Sequence, residues 1–122
     1  MIKGVGIDIA EVQRIQKSIE KEKGFRELVF SPHEITYCEA KANKYQHYAA
    51  RFAAKEAFFK AVGTGWSNGT AFNEIEIYNQ ANGKPCIRLL GETAQTLTSL
   101  QQVPVHVSLS HTSIMATAIV VI

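Results

Sequence analysis

Arg51-Phe52-Ala53-Ala54-Lys55-Glu56-Ala57-Phe58-Phe59-Lys60 reads as helix, rich in alanine and free of glycine and proline. At about 100° per residue, Ala49, Phe52, Ala53 and Glu56 share one stripe, with Lys60 a turn beyond Glu56. A carboxylate among alanine and phenylalanine needs a reason, because an unpaired buried charge must shift its pKa or find a cation. The simpler account is an ion pair with Lys60 at the i, i+4 spacing, worth about 0.2–0.5 kcal/mol. Followed outward, the helix runs from about Tyr45 to Val62 and stops at Gly63-Thr64-Gly65.

Upstream, Met1-Ile2-Lys3-Gly4-Val5-Gly6-Ile7-Asp8-Ile9 alternates as a strand. Lys3, Val5, Ile7 and Ile9 point one way, and Ile2, Gly4, Gly6 and Asp8 the other. Glycine and Asp are both unusual in strands, and two glycines leading to an Asp describe a face that something approaches closely. Asp8 is equally suited to capping the helix that follows. Taken together, Asp8 and Glu56 suit a hard divalent cation. Mg²⁺ takes one or two protein carboxylates and completes its shell with water and substrate phosphate oxygens. Cys38 and Cys86 stand alone and no paired histidine spacing occurs, so nothing resembles a zinc site.

The remaining punctuation gives a mixed α+β order. A helix is expected from roughly Ala10 to Lys23, with Val12, Ile15 and Ile19 inward and Gly24 after it. Ser31-Pro32-His33-Glu34 is a capping box with proline at the first helical position. Glu74–Tyr78 and Lys84–Leu90 form a hairpin around Asn82-Gly83. A short helix follows from Glu92 to Gln101, and then a strand, Val103–Ser110, with Val103, Val105, Val107 and Leu109 inward. The last strand, Ile114–Ile122, is apolar except for Thr117, which predicts burial on both faces. Its second face is covered either by helices or by another subunit.

Composition is that of one globular domain: 122 residues, 46% hydrophobic and 20% charged. A net charge of +2 is too small to argue for nucleic acid. No apolar run reaches membrane-spanning length, and Lys3 and Asp8 interrupt the N-terminus, against a signal peptide. Unpaired cysteines fit a reducing, cytoplasmic setting.

Gly4-Val5-Gly6-Ile7-Asp8-Ile9-Ala10-Glu11-Val12 and Arg51–Gly65 together resemble the two signature blocks of holo-acyl-carrier-protein synthases, the short bacterial type of 4′-phosphopantetheinyl transferase. Asn82–Pro85 and Val105–Thr112 resemble the same family's later blocks, in the expected order along the chain. The resemblance implies a long central helix on a mainly antiparallel sheet, and a homotrimer with active sites between subunits. It implies Mg²⁺-dependent transfer of phosphopantetheine from coenzyme A to a serine of acyl carrier protein, releasing 3′,5′-ADP. Asp8 and Glu56 would then hold Mg²⁺, and Lys60 would contact the phosphates. Glu56 or a metal-bound water would take the serine proton.

Other positions carry two readings each. Arg51 and Lys55, on a stripe about 100° from Glu56, are placed to reach the 3′-phosphate or ribose side of the cofactor, or else serve solubility. Gly63 and Gly65 either touch the cofactor by shape or simply end the helix. Pro85 is a candidate wall for the adenine. His106, Ser108 and Ser110 share a strand face, and the resemblance sets His106 and Ser110 beside the nucleotide. A Ser–His hydrolase is not indicated, since no nucleophile elbow surrounds either serine. Arg14, Lys17 and Lys21 form a basic stripe: a solvated face, or a dock for an acidic carrier protein. Phe59 and Trp66-Ser67-Asn68 depart from the family pattern, the former where the resemblance implies a smaller residue. Two rivals remain, a non-catalytic basic module and a different Mg²⁺-dependent nucleotide enzyme.

Overall fold

The computed structural model describes residues 1–65 and 67–122; Trp66 lies outside the described residues. The chain runs β1 (Val5–Glu11), α1 (Val12–Lys21), α2 (Phe25–Val29), α3 (Pro32–Glu39), α4 (Lys44–Val62), β2 (Ile75–Asn79), β3 (Pro85–Leu89), α5 (Gly91–Thr96), β4 (His106–His111) and β5 (Met115–Val121). Strands β1, β5 and β4 form an antiparallel sheet in that order, and β2 and β3 pair as a separate hairpin. The fold is therefore α+β, with α4 at its centre.

The glycines of the opening strand explain how α4 reaches the sheet. A Cβ on Gly6 would overlap the Ala57 carbonyl oxygen and lie 2.7 Å from the Ala61 nitrogen. A Cβ on Gly4 would overlap the Ala61 carbonyl oxygen in the same way. What approaches the strand is thus the backbone of α4 itself. Ala49, Ala53, Ala57 and Ala61 are buried on the helix, facing Ala10, Ala116, Ala118 and Val120 of the sheet. Small residues on both layers let the two backbones close up, which a larger stripe would forbid.

Several expectations are met in detail. The Ser31 capping box is complete, with Glu34 N donating to Ser31 Oγ at 3.2 Å and Ser31 N to Glu34 Oε1 at 2.9 Å. Gly83, at φ 88°, turns the hairpin. Helix α1 is shorter than expected, and Glu11, not Asp8, stands at its N-cap position. The capping alternative for Asp8 is excluded. Helix α2 was not expected; five residues give too little periodicity to read. The helix expected over 92–101 divides into α5 and a 3-10 turn, Thr98–Leu100.

Strand β5 corrects a larger expectation. Ala116, Ala118 and Val120 are buried under α4, but Ile119 is 39% exposed. Beside it Val5, Ile7 and Ile9 of β1 are 54%, 62% and 61% exposed. One face of the sheet is covered by a helix, and the other presents branched aliphatic side chains to its surroundings. Among the described residues no helix is long and apolar enough to cross a membrane.

Candidate functional site

Close packing of β1 on α4 brings Asp8 beside Lys60 and Glu56, which lie far along the chain from it. Lys60 Nζ donates to Asp8 Oδ1 at 2.9 Å and to the Ile7 carbonyl at 3.1 Å. Lys60 thus reaches across to the strand instead of along its own helix to Glu56. The simple i, i+4 pair is not formed, and Glu56 must be explained differently. Its side chain is half-buried, and burial, reinforced by the charge of Asp8, pushes its carboxyl above the usual 4.5, while Lys60 opposes the shift. The Lys60 ammonium is held above its ordinary value, first by its hydrogen bond to Asp8 and then by that group's charge.

Glu56, whose ionisation is opposed by burial and by Asp8, and Asp8, which already draws an ammonium, make an electronegative seat for a cation. Among the described residues no three His, Cys, Asp or Glu side chains gather as a metal cluster. A two-carboxylate donor set fits Mg²⁺, which leaves most of its shell to water and substrate phosphate.

A cleft of about 440 Å³ opens beside this centre, between β1, α1 and α4. Glu56 and Phe52 line one wall, and Arg14, Ile15 and Phe25 lie across it. Arg14 is therefore joined to Glu56 by a continuous groove, while Lys17 and Lys21 stay exposed on α1 outside it. Phe59 is buried, edge-on to Phe58 at 6.1 Å and to Phe72 at 5.3 Å; Phe72 stacks on Phe52 at 6.2 Å. The extra aromatic volume at position 59 goes into the packing behind the cleft wall.

Lys55 is not available to a cofactor. Its side chain is fully buried, and Nζ donates to Glu34 Oε1 at 2.7 Å, Phe72 O at 2.8 Å and Ile75 O at 2.6 Å. These three acceptors use all its hydrogens. Arg51 is likewise turned inward, 2% exposed, with Nη2 on Asn79 Oδ1 at 2.8 Å and the guanidinium 4.1 Å from the Tyr37 ring centre. Neither residue is a solubilising charge, and within the chain neither reaches toward Glu56.

His106 and Ser110 are also displaced from the centre. Strand register places Ser108, Ile119 and Ile7 in one row, and Leu109, Ala118 and Asp8 in the next. Paired residues share a face, so His106, Ser108 and Ser110 lie on the open face and Asp8 on the α4 face. Within one chain the sheet separates them. The histidine on the α4 side is His111, whose Nδ1 is 2.8 Å from Gln46 Oε1 and whose ring lies 5.1 Å from His47. Burial first, then the charges of His111, Arg51 and Lys41, push His47 down to about 4. His111 was legible in the sequence: counting on from the inward-facing Leu109 assigns it to the inner face. Gly63, at φ 89°, closes α4 as its C-cap and Gly65 follows in the same exposed turn, while Pro85 opens β3.

Comparison with known proteins decides the chemistry. Residues 4–118 match the family model described as the 4′-phosphopantetheinyl transferase superfamily. The chain belongs to that superfamily. A holo-[acyl-carrier-protein] synthase of Cytophaga hutchinsonii is 54% identical over 122 residues, covering 98% of this chain and 96% of the relative. The crystal structure of the Neisseria meningitidis synthase superposes with TM-score 0.87 at 33% identity, covering 99% of this chain and 98% of that one. The Bacillus anthracis synthase, solved in complex with CoA (3′,5′-ADP), gives TM-score 0.81 at 36% identity, covering 99% of this chain and 96% of that one. Likeness at this level over nearly the whole chain identifies a phosphopantetheinyl transferase of the holo-[acyl-carrier-protein] synthase type. The non-catalytic basic module is set aside.

Proposed function

We propose that this synthase transfers 4′-phosphopantetheine from coenzyme A to a serine of apo-acyl carrier protein, with Mg²⁺ held by Asp8 and Glu56. The convergence of Asp8, Glu56 and Lys60 carries the reading. It supplies two carboxylates and one ammonium at the mouth of a groove that leads to a basic helix. The carrier serine hydroxyl attacks the phosphorus nearest the pantetheine. The bond from that phosphorus to the bridging diphosphate oxygen breaks, and 3′,5′-ADP leaves with the electron pair. Mg²⁺, when bound, neutralises the diphosphate and fixes its orientation.

The chain's own residues do the rest. Asp8 and Glu56 set where the diphosphate rests. Lys60, exposed at its tip, offers its ammonium to the phosphate oxygens as charge develops. The serine proton passes to Glu56, whose raised basicity suits it to the task, or to a water beside it. Positioning of this kind can supply about 7–11 kcal/mol of a barrier. Arg14, with Lys17 and Lys21 behind it, steers and orients an acidic carrier onto α1.

Self-association completes the proposal. Val5, Ile7, Ile9 and Ile119 form an apolar face that a homotrimer would cover. His106 and Ser110 sit on that face, so they could serve a cofactor bound to a neighbouring copy, though not to their own Asp8. Ile7→Lys with Ile119→Lys is expected to convert the trimer to monomer in light scattering and to stop transfer. A monomeric wild type with full activity would contradict this.

The direct test mixes the protein with coenzyme A, Mg²⁺ and apo-acyl carrier protein and reads the carrier's mass. Addition of a single phosphopantetheine, lost on chelation of the metal, is expected. A folded carrier left unmodified would reject the assignment.

A further inference from the structure

Lys55 is the most deeply buried charge on α4, and the transfer chemistry makes no direct use of it. Its three acceptors come from two different parts of the chain. Glu34 belongs to α3, while the Phe72 and Ile75 carbonyls belong to the segment that leads into β2. Glu34 is itself fixed, accepting from Ser31 N at 2.9 Å and, through Oε2, from Ile77 N at 2.8 Å. Ser31 Oγ in turn donates to Glu76 Oε1 at 2.7 Å, and Arg88 pairs with the other oxygen of Glu76 at 2.6 Å. The ammonium is therefore set into a rigid frame on the side of α4 away from the sheet.

Glu56 is the next residue along the helix. Among the described residues no comparable frame grips its carboxylate, so its position follows the rotation of α4. A helical side chain of this length carries its tip about 5–6 Å from the axis, so a turn of about 15° moves the carboxylate by about 1–1.5 Å. A displacement of about 1 Å at a phosphate centre can cost about 100-fold in rate. Alanines and glycines on the sheet side permit close approach, and the other directional ties of α4 are single side chains near its ends or at Arg51, such as Lys60 to β1 and Arg51 to Asn79. The bonds to Lys55 are directional.

We propose that Lys55 is a positioning residue, locking the rotation of α4 so that Glu56 stays in register with Asp8. The proposal rests on the catalytic role of Glu56 given above. It also accounts for a buried ion pair where apolar side chains of similar size would serve stability equally well.

The test variant is Lys55→Met combined with Glu34→Gln. The amide leaves no orphaned charge, and its single oxygen keeps an acceptor for Ile77 N, while Ser31 N loses its carboxylate partner. Lys55→Met alone would strand Glu34, so it is not the deciding protein. Leu89→Ala, on the far strand of the hairpin, serves as a control for general loss of stability. Circular dichroism and thermal unfolding should show the double variant folded at the assay temperature. Its kcat is expected to fall about 10- to 100-fold, with KM for the carrier within about twofold of wild type, because the docking helix is untouched. Leu89→Ala should keep kcat within about twofold. Wild-type kcat in the double variant would overturn the proposal. So would an equal loss in Leu89→Ala, or a double variant that does not fold, since the lysine would then serve stability alone. A Glu56→Gln protein assayed alongside separates the two levels: an active Glu56→Gln removes the underlying reading, whereas an inactive Glu56→Gln beside a fully active double variant removes only the role of Lys55.

Discussion

Glu56→Gln is expected to yield a folded protein that resists denaturant better than wild type at neutral pH, yet transfers phosphopantetheine at least about 100-fold more slowly. Both effects have one origin. Burial and the charge of Asp8 raise the Glu56 carboxyl in the folded chain above the 4.5 of an exposed side chain. The folded state then binds the proton more tightly than the unfolded state. By linkage, stability declines as pH rises from the unfolded value through the folded one, and the cost of the ionised form is complete above both. The amide carries no such cost. Its advantage should be absent below about pH 4 and fully developed at neutrality. Urea midpoints measured across this range, with divalent cations chelated, report it directly. The loss of rate follows because an amide cannot supply the negative charge that the diphosphate centre requires. Equal stability of the two proteins at neutral pH would show that Glu56 is not under electrostatic strain.

Gly6→Ala is the second large effect. The new methyl would meet the Ala57 carbonyl oxygen and stand 2.7 Å from the Ala61 nitrogen. Both obstacles are backbone of the last two turns of a long helix, so neither can swing aside. Overpacking of a core costs about 1–3 kcal/mol where side chains can adjust, and this site should lie at or beyond the top of that range. Against a typical total of about 5–15 kcal/mol, the variant is expected to be severely weakened. If it folds, β1 must stand off from α4, which draws Asp8 away from Glu56 and removes activity even at low temperature. Equilibrium denaturation and the carrier-modification assay, run together on the purified variant, check both parts. A variant with wild-type stability and rate would mean that β1 and α4 are not in the contact described.

The parts of the site that were legible in the sequence are those fixed by local rules. Alternation assigned Asp8 to the same strand face as the two glycines, and helical spacing put Glu56 and Lys60 one turn apart. The capping box at Ser31 and the Asn82-Gly83 turn were visible because their chemistry lies within four residues. Lys55 and Arg51 were misjudged for a definite reason. Helix α4 is buried on nearly every side, with Tyr48, Ala50, Ala54 and Phe58 covered as fully as the sheet-facing alanines. A helix without a solvent face has no polar stripe from which exposure can be inferred. Arg51 and Lys55 read as reaching the cofactor or as surface charges, and only their tertiary partners, Asn79 and Glu34, show otherwise. Strand parity already set His106 on the open face and His111 on the inner one. The open face of β1 and β5 lies beyond what one chain's sequence decides, because apolar side chains look the same whether a helix or another subunit covers them.

The central claim is that Asp8 and Glu56 act together on one divalent ion at the coenzyme A diphosphate. Mn²⁺ titrated into the protein with saturating coenzyme A and no carrier, followed by electron paramagnetic resonance, tests it without catalysis. Saturable binding is expected for wild type, weakened at least about 100-fold in Asp8→Asn and to a similar degree in Glu56→Gln. Wild-type Mn²⁺ affinity in either variant would contradict the shared site.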